Sequence, residues 1–132
     1  MNESVEKLDL EAYHLYKNTP GCNRKQRCFL YPVEIYEGFI RLHKKGMHKP
    51  IIIVSSMMQY IEKIEKHGFI PPSGDIELKP YVLHAENNNG KRVPACIPIE
   101  LLERFENLDV PTSKKLTYTI AMYDYLQSKG EM

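Results

Sequence analysis

The feature that most constrains the fold is a similarity between two segments of the chain 66 residues apart. The segment QRCFLYPVEIYEGFIRL, residues 26–42, aligns with RVPACIPIELLERFENL, residues 92–108. The aligned pairs are Pro32/Pro98, Glu34/Glu100, Glu37/Glu103, Phe39/Phe105 and Leu42/Leu108. At an offset of 65 the similarity continues, with Lys49/Lys114, Met57/Met122 and Tyr60/Tyr125. Self-similarity at a fixed offset is typical of a duplicated structural unit, so we expect both segments to fold alike.

Each repeat predicts one strand followed by two helices. Residues 25–31 and 91–97 are the strand candidates, and each precedes a proline, which suits a helix start because its missing N–H would have no intrahelical partner there. Three-and-four spacing of apolar residues then predicts helices over residues 33–44, 50–65, 98–108 and 114–128. Ser113 is the expected N-cap of the last helix, and Phe39 and Phe105 are the expected core anchors.

The segments outside the repeat predict additional strands. The N-terminal residues predict a short helical arm, and residues 12–16, AYHLY, alternate like a strand. Residues 80–85 and the turn 86–90 predict a hairpin with 91–97, since Asn-Gly supplies the positive φ angles of such a turn. The expected fold is α+β: duplicated strand-helix-helix or hairpin-helix-helix units packed as a pseudo-dimer. The first unit spans residues 1–65, a Pro- and Gly-containing linker spans 66–79, and the second unit spans 80–132.

Composition restricts the class of protein. A chain of 132 residues, 42% of them hydrophobic, suits one domain or two small units sharing a core. A net charge of +1 creates no general basic field, so any contact with nucleic acid must come from local patches. Three cysteines without a CxxC pair favour a reducing compartment, and the longest apolar run is far too short to span a bilayer. We therefore expect a cytoplasmic protein without membrane association.

The sequence contains none of the common catalytic motifs. A Gly-rich phosphate loop and a metal-binding HExxH are absent, and the spacing of Cys22 and Cys28 matches no common zinc site. The repeated glutamates fall in first helical turns, where the helix dipole alone favours them. We expect neither enzymatic activity nor a cofactor or metal.

A strand followed by PxExxExF, a short turn and a second amphipathic helix resembles the ribbon-helix-helix family of DNA-binding proteins, the Arc/MetJ type. The resemblance covers residues 26–62 and 92–127. In that family two strands pair antiparallel and enter the major groove. Two copies in one chain would resemble a covalent dimer of this kind, similar to tandem members found among conjugative-plasmid accessory proteins.

The resemblance implies which residues would contact DNA. The base-reading positions, two, four and six residues before each proline, are Leu30, Cys28 and Gln26 in one repeat and Cys96, Pro94 and Arg92 in the other. Only Gln26 and Arg92 carry groups suited to base edges. The residues expected to contact the phosphate backbone are Arg24, Lys25, Arg27, Lys91, Ser113, Lys114, Lys115 and, at the start of residues 50–65, Lys49.

The sequence is compatible with two functions. The first is a DNA-binding regulator, either a transcriptional repressor or a DNA-processing accessory factor, of the kind found on mobile genetic elements, with double-stranded DNA as its partner. The second is a small inhibitor or regulator, from a phage or plasmid, that binds a protein through the apolar strand face. Both strand faces are largely apolar, so we expect the upstream strands or a partner protein to cover the outer one. Either a monomeric pseudo-dimer or a homodimer would satisfy the pattern.

Overall fold

The two predicted strands pair with each other. The computed structural model describes residues 3–69, 90–111 and 113–132. Strand β1 (Arg24–Tyr31) runs antiparallel to β2 (Lys91–Pro98), with Arg24 opposite Pro98 and Tyr31 opposite Lys91. Both predicted strands are therefore confirmed to within one residue. Together with the helices they make an α+β fold.

The centre of this ribbon lies at two residues that the repeat aligns. Cys28 lies opposite Pro94, and the offset between them is 66 residues, the offset of the repeat. Gln26 likewise lies opposite Cys96, and Leu30 lies opposite Arg92. The pairing register therefore places corresponding positions of the two strands symmetrically about the middle of the ribbon.

Five helices accompany the strands within the described residues. They are α1 (Glu3–Asn18), α2 (Val33–Lys44), α3 (Lys49–His67), α4 (Ile99–Glu106) and α5 (Lys114–Ser128), and a single 3-10 turn (Gly21–Asn23) precedes β1. The helices predicted at 33–44 and 114–128 are confirmed at both ends. Helix α4 is shorter than the predicted 98–108, because Pro98 still belongs to β2 and Asn107 already caps the helix.

Helix α3 extends beyond the predicted boundary at residue 65. It continues through His67 and ends at Gly68, whose φ of 72° favours glycine and whose N–H donates to the Ile64 carbonyl at 2.8 Å. The predicted linker start at residue 66 is therefore wrong, since residues 66 and 67 are helical. The remainder of that linker from residue 70, the predicted strand 80–85 and the turn at 86–89 lie outside the described residues.

The strand predicted at residues 12–16 is also wrong, because these residues belong to α1. Leu8 and Ala12 are buried four residues apart and Tyr16 packs partly against the core, so the buried side of this segment has the period of a helix. Helix α1 packs against α3. Five alternating residues were too short a window to reveal the helical period, which is set by packing against α3.

One hydrophobic core contains residues from both halves of the described chain. Its fully buried members include Ile35, Phe39, Met57, Ile97 and Met122. Helix α3 packs against α5, and each also packs against the strand of the other repeat, α3 on β2 and α5 on β1. Within the described part of the chain, the helices therefore cover one face of the ribbon.

Candidate nucleic-acid interface

The outer face of the ribbon, the face turned away from the helices, is accessible. Alternation buries Phe29, Tyr31, Val93 and Ile97 on the inner face, whereas the exposed outer side chains are Gln26, Cys28, Arg92, Pro94 and Cys96. Leu30, also on the outer face, is half-buried. The expected cover by residues 12–16 is wrong, because they lie in α1 against α3, and the other expected cover, residues 80–85, lies outside the described residues.

Gln26 and Arg92 occupy corresponding positions near opposite ends of the outer face. Gln26 lies opposite Cys96, which is four residues along β2 from Arg92. At about 3.3 Å per residue the two side chains leave the ribbon roughly 13 Å apart. Both are exposed and carry hydrogen-bonding groups suited to base edges.

Arg24 is held by α1 instead of projecting freely from the ribbon. Its guanidinium carbon lies 4.0 Å from the centre of the Tyr16 ring, and Nη2 donates a short hydrogen bond to the Tyr16 carbonyl. Stacking and hydrogen bonding together fix the side chain at the junction of α1 and β1. Arg24 therefore stabilises this junction, and its contact with the phosphate backbone stays a prediction.

Arg27 and Lys114 share an acidic neighbour that the sequence prediction did not include. Glu106 Oε1 lies 3.6 Å from Arg27 Nη2 and 4.0 Å from Lys114 Nζ. The Tyr118 hydroxyl donates to Glu106 Oε2 at 2.7 Å. Burial is the largest cause of a raised pKa of Tyr118 and this hydrogen bond is the second, so the hydroxyl stays protonated. Glu106 thus offsets two of the predicted positive charges. Nothing in the spacing of the repeat pointed to it, because the contact joins three separate elements.

The N-terminus of α5 lies beside β1. The Ser113 hydroxyl accepts from the Leu116 N–H at 3.2 Å, which confirms the predicted N-cap. Lys115 is exposed, and with Tyr118 and residues 27–30 it lines a cavity of about 270 Å³ at the margin of the outer face. An exposed lysine at a helix N-terminus places a positive charge beside unpaired N–H groups, an arrangement that suits an anion.

The remaining predicted phosphate contacts lie at the ends of the ribbon and of α3. Lys25, opposite Ile97, and Lys91, opposite Tyr31, are both exposed. Lys49 is the first residue of α3 and is half-buried. The N-cap of this helix, His48, makes no side-chain cap hydrogen bond, so the α3 start differs from the capped start of α5. The structure therefore brings Lys115, Arg27 and the outer face of β1 together around one cavity.

Comparisons with protein-family models, with curated proteins and with solved structures find no match for this chain. No helix within residues 3–69, 90–111 and 113–132 has the length and apolar character needed to cross a membrane. Residue geometry is therefore the basis for assigning a function.

Proposed function

We propose that this protein is a tandem ribbon-helix-helix DNA-binding protein that acts as a transcriptional regulator or DNA-processing accessory factor. The observation that supports it best is the antiparallel ribbon that takes one strand from each repeat and exposes its outer face. The major groove, about 12 Å wide, accepts a two-stranded ribbon of this kind. The function requires no ligand beyond double-stranded DNA.

The duplication at the centre of this proposal is supported by register and by packing. The ribbon is centred on Cys28 and Pro94, which the repeat aligns. The contacts of the helices are reciprocal: α2 packs against α5 as α4 packs against α3, and α3 meets β2 as α5 meets β1. A pseudo-twofold axis through the middle of the ribbon would produce both features.

The outer face suggests how bases would be read. Arg92 can donate two hydrogen bonds to guanine, Gln26 can pair with adenine, and Leu30 can contact a thymine methyl group. A separation of roughly 13 Å between the two polar readers corresponds to about four base-pair steps. Because Cys28 and Pro94 form the middle of the outer face, we expect sequence preference at two positions that flank a less specified centre.

The decisive experiment is a fluorescence-anisotropy titration with double-stranded genomic fragments at 50 mM salt, where phosphate contacts are strongest.

Replacing Lys114 and Lys115 by Ala should weaken binding to all sequences alike and reduce the salt slope by about one to two. Arg92→Ala should instead change the preferred sequence. The matched control is Lys44→Ala with Lys66→Ala, which removes the same charge from exposed positions in the last turns of α2 and α3. Absence of binding at 50 mM salt by the folded protein would contradict the proposal.

A second candidate, binding to another protein, is favoured by the weakly polar middle of the outer face. Cys28 and Pro94 form the middle, and Leu30 and Cys96 extend this largely apolar surface toward its two ends. If a protein covers this surface, Leu30→Glu or Cys96→Glu should abolish association, because each would bury an unpaired carboxylate, whereas loss of Lys114 and Lys115 should have little effect. Circular dichroism of each variant separates loss of association from loss of folding.

A further inference from the structure

A cavity between α3 and α5 has features that neither the DNA interface nor the core requires. Its volume is about 260 Å³, and its lining includes Gln59, Tyr60, Lys63 and Asp124. Pockets for drug-sized ligands measure about 300–1,000 Å³, so this one suits a smaller molecule. The Lys63 ammonium and the Asp124 carboxylate form an ion pair of 2.9 Å within this lining.

Two polar atoms in this lining are buried without a hydrogen-bond partner among the described residues. They are the Tyr60 hydroxyl and the Gln59 Oε1, and Tyr60 as a whole is 3% exposed. Burial, and then the charge of Asp124, raise the pKa of Tyr60 to about 12, so its hydroxyl is a donor at neutral pH. Buried polar groups in proteins are normally paired, and an unpaired donor and an unpaired acceptor in the lining of one cavity therefore indicate a polar ligand.

Tyr125, which the repeat aligns with Tyr60, shows what such a hydroxyl binds in this protein. The Tyr125 hydroxyl donates to Asp9 Oδ1 at 2.7 Å, and Lys129 Nζ lies 2.7 Å from the other oxygen of the same carboxylate. A tyrosine hydroxyl and a lysine thus hold one carboxylate between them. Tyr60 and Lys63 provide the same two groups, but in the described structure no carboxylate accepts from Tyr60.

We propose that the cavity at Tyr60, Lys63 and Asp124 binds a small zwitterion of the α-amino acid class. The ligand carboxylate accepts from the Tyr60 hydroxyl and pairs with Lys63, as the Asp9 carboxylate does with Tyr125 and Lys129. The ligand ammonium pairs with Asp124 and donates to Gln59 Oε1. Both charges of the ligand then have partners, and both unpaired buried atoms of the protein are satisfied.

The test is a thermal-shift measurement on the full chain without DNA, using each of the twenty common α-amino acids at 10 mM, followed by calorimetric titration of any that respond. At a free ligand concentration about ten times the Kd, the midpoint of thermal unfolding should rise by about 3–8 °C. The responding amino acid should lose this effect when either its carboxylate or its ammonium is removed, as in the corresponding amine and acid. No midpoint shift and no heat with any of the twenty would overturn the proposal.

Tyr60→Phe distinguishes a ligand-binding hydroxyl from a structural one. Because the hydroxyl has no partner in the described structure, its removal should leave the unliganded midpoint unchanged or raise it, while the affinity for the amino acid falls at least tenfold. Tyr36→Phe, which removes a hydroxyl from a half-buried tyrosine on α2, is the matched control and should change neither value. A lower unliganded midpoint for Tyr60→Phe with unaltered affinity would instead overturn the assignment. Since the measurement needs no DNA, its result is independent of the proposed function.

Discussion

At the scale of single residues, charge near the ribbon is determined by contacts between distant parts of the chain. Arg24 stacks on Tyr16 of α1, and Arg27 lies 3.6 Å from Glu106 of α4. Lys115 is exposed, whereas Lys114 lies 4.0 Å from the same Glu106. The positive charge near the ribbon that has no acidic or aromatic partner is therefore smaller than a count of basic residues in the sequence indicates.

Glu106→Gln should strengthen DNA binding if the proposed function is correct. The substitution removes a negative charge next to Arg27 and Lys114 and keeps an oxygen that can accept from Tyr118. We expect affinity at 50 mM salt to rise about threefold to tenfold and the salt slope to steepen by about one. The measurement is anisotropy, and Glu103→Gln, an exposed change on the same helix, is the control. Equal or weaker binding by the folded Glu106→Gln protein would contradict the expected role of this carboxylate.

Glu131 ties the C-terminal end of the chain to α2. It accepts from Arg41 Nε at 3.0 Å and is paired with Lys45 as well, and these contacts, Lys45 foremost, lower the pKa of Glu131 although burial acts in the opposite direction. A carboxylate with a lowered folded-state pKa stabilises the protein above its unfolded value of 4.5, and this contribution is lost as pH falls through the folded value.

Glu131→Gln should therefore lower the free energy of unfolding by about 1 kcal/mol at pH 7, a modest value because both cationic partners are half exposed or more. The deficit relative to the unmodified protein should shrink below pH 4.5 and vanish below the folded pKa. Urea unfolding at a series of pH values measures it. A deficit that stays constant from pH 7 to pH 3 would show that loss of charge is not its cause.

Phe39 and Phe105 should behave as equivalent anchors of the core. They are 0% and 2% exposed, and they occupy aligned positions of the repeat. Truncating either to Ala leaves a cavity and should cost about 3–5 kcal/mol in the free energy of unfolding. Denaturant unfolding monitored by circular dichroism measures both, with the exposed Val33→Ala as a control for loss of an apolar side chain. A cost below about 1 kcal/mol for one of the two would show that the aligned positions are not equivalent.

At the scale of elements, the starts of α3 and α5 differ in their side-chain caps. Ser113 and His48 are the respective N-caps, with similar extended backbones, φ −65°, ψ 156° and φ −68°, ψ 138°. Ser113 accepts from Leu116 N–H, the third N–H of its helix, whereas His48 makes no side-chain cap hydrogen bond. The N–H of Ile51 occupies the same position in α3, and Pro50, which has no N–H, comes before it.

Removing the cap of α5 and adding one to α3 should change the free energy of unfolding in opposite directions. Ser113→Ala should cost about 1 kcal/mol, and His48→Ser should stabilise by about 0.5–1 kcal/mol by supplying an acceptor for Ile51 N–H. Thermal and urea unfolding of both variants measure the effect, and His48→Ala separates loss of the imidazole from gain of the cap. A His48→Ser protein no more stable than His48→Ala would show that the serine makes no cap at this position.

At the scale of the whole molecule, the described residues of the two repeats share one hydrophobic core. Each long helix of one repeat packs against the strand of the other, and the buried side chains form a single cluster. Separating the repeats would expose Ile35 and Phe39 on one side and Ile97 and Met122 on the other. The division into units of residues 1–65 and 80–132 stays a prediction, and the described residues of both units contribute to one core.

The separate halves should therefore not fold alone. Fragments of residues 1–69 and 80–132 should each lack a cooperative thermal transition, whereas the intact chain should unfold in one transition that is the same by near- and far-ultraviolet circular dichroism. Mixing the fragments tests whether the shared core can reassemble. A cooperative transition in one isolated fragment would show that its half has a sufficient core of its own.

The sequence by itself determined the local structure of the repeat. Apolar periodicity and the prolines at positions 32 and 98 were sufficient for both strands and for the bounds of α2 and α5, because these features act within a few residues along the chain. Ser113 as a cap was predictable for the same reason. The repeat also anticipated which strand positions share the outer face, since side chains alternate strictly along a strand.

Only the tertiary structure decided how these local elements meet. Residues 12–16 alternate in hydrophobicity, but packing of Leu8 and Ala12 against α3 makes them helical. The contacts that hold Arg24 at Tyr16 and place Glu106 beside Arg27 depend on side chains distant in sequence. The same is true of the two tyrosines at aligned positions: a carboxylate from α1 reaches Tyr125, whereas Tyr60 faces the cavity at Lys63 and Asp124. Local sequence patterns specify helices and strands. Ion pairs and cavities form where elements distant in the sequence pack together, and a local pattern contains no information on which elements those are.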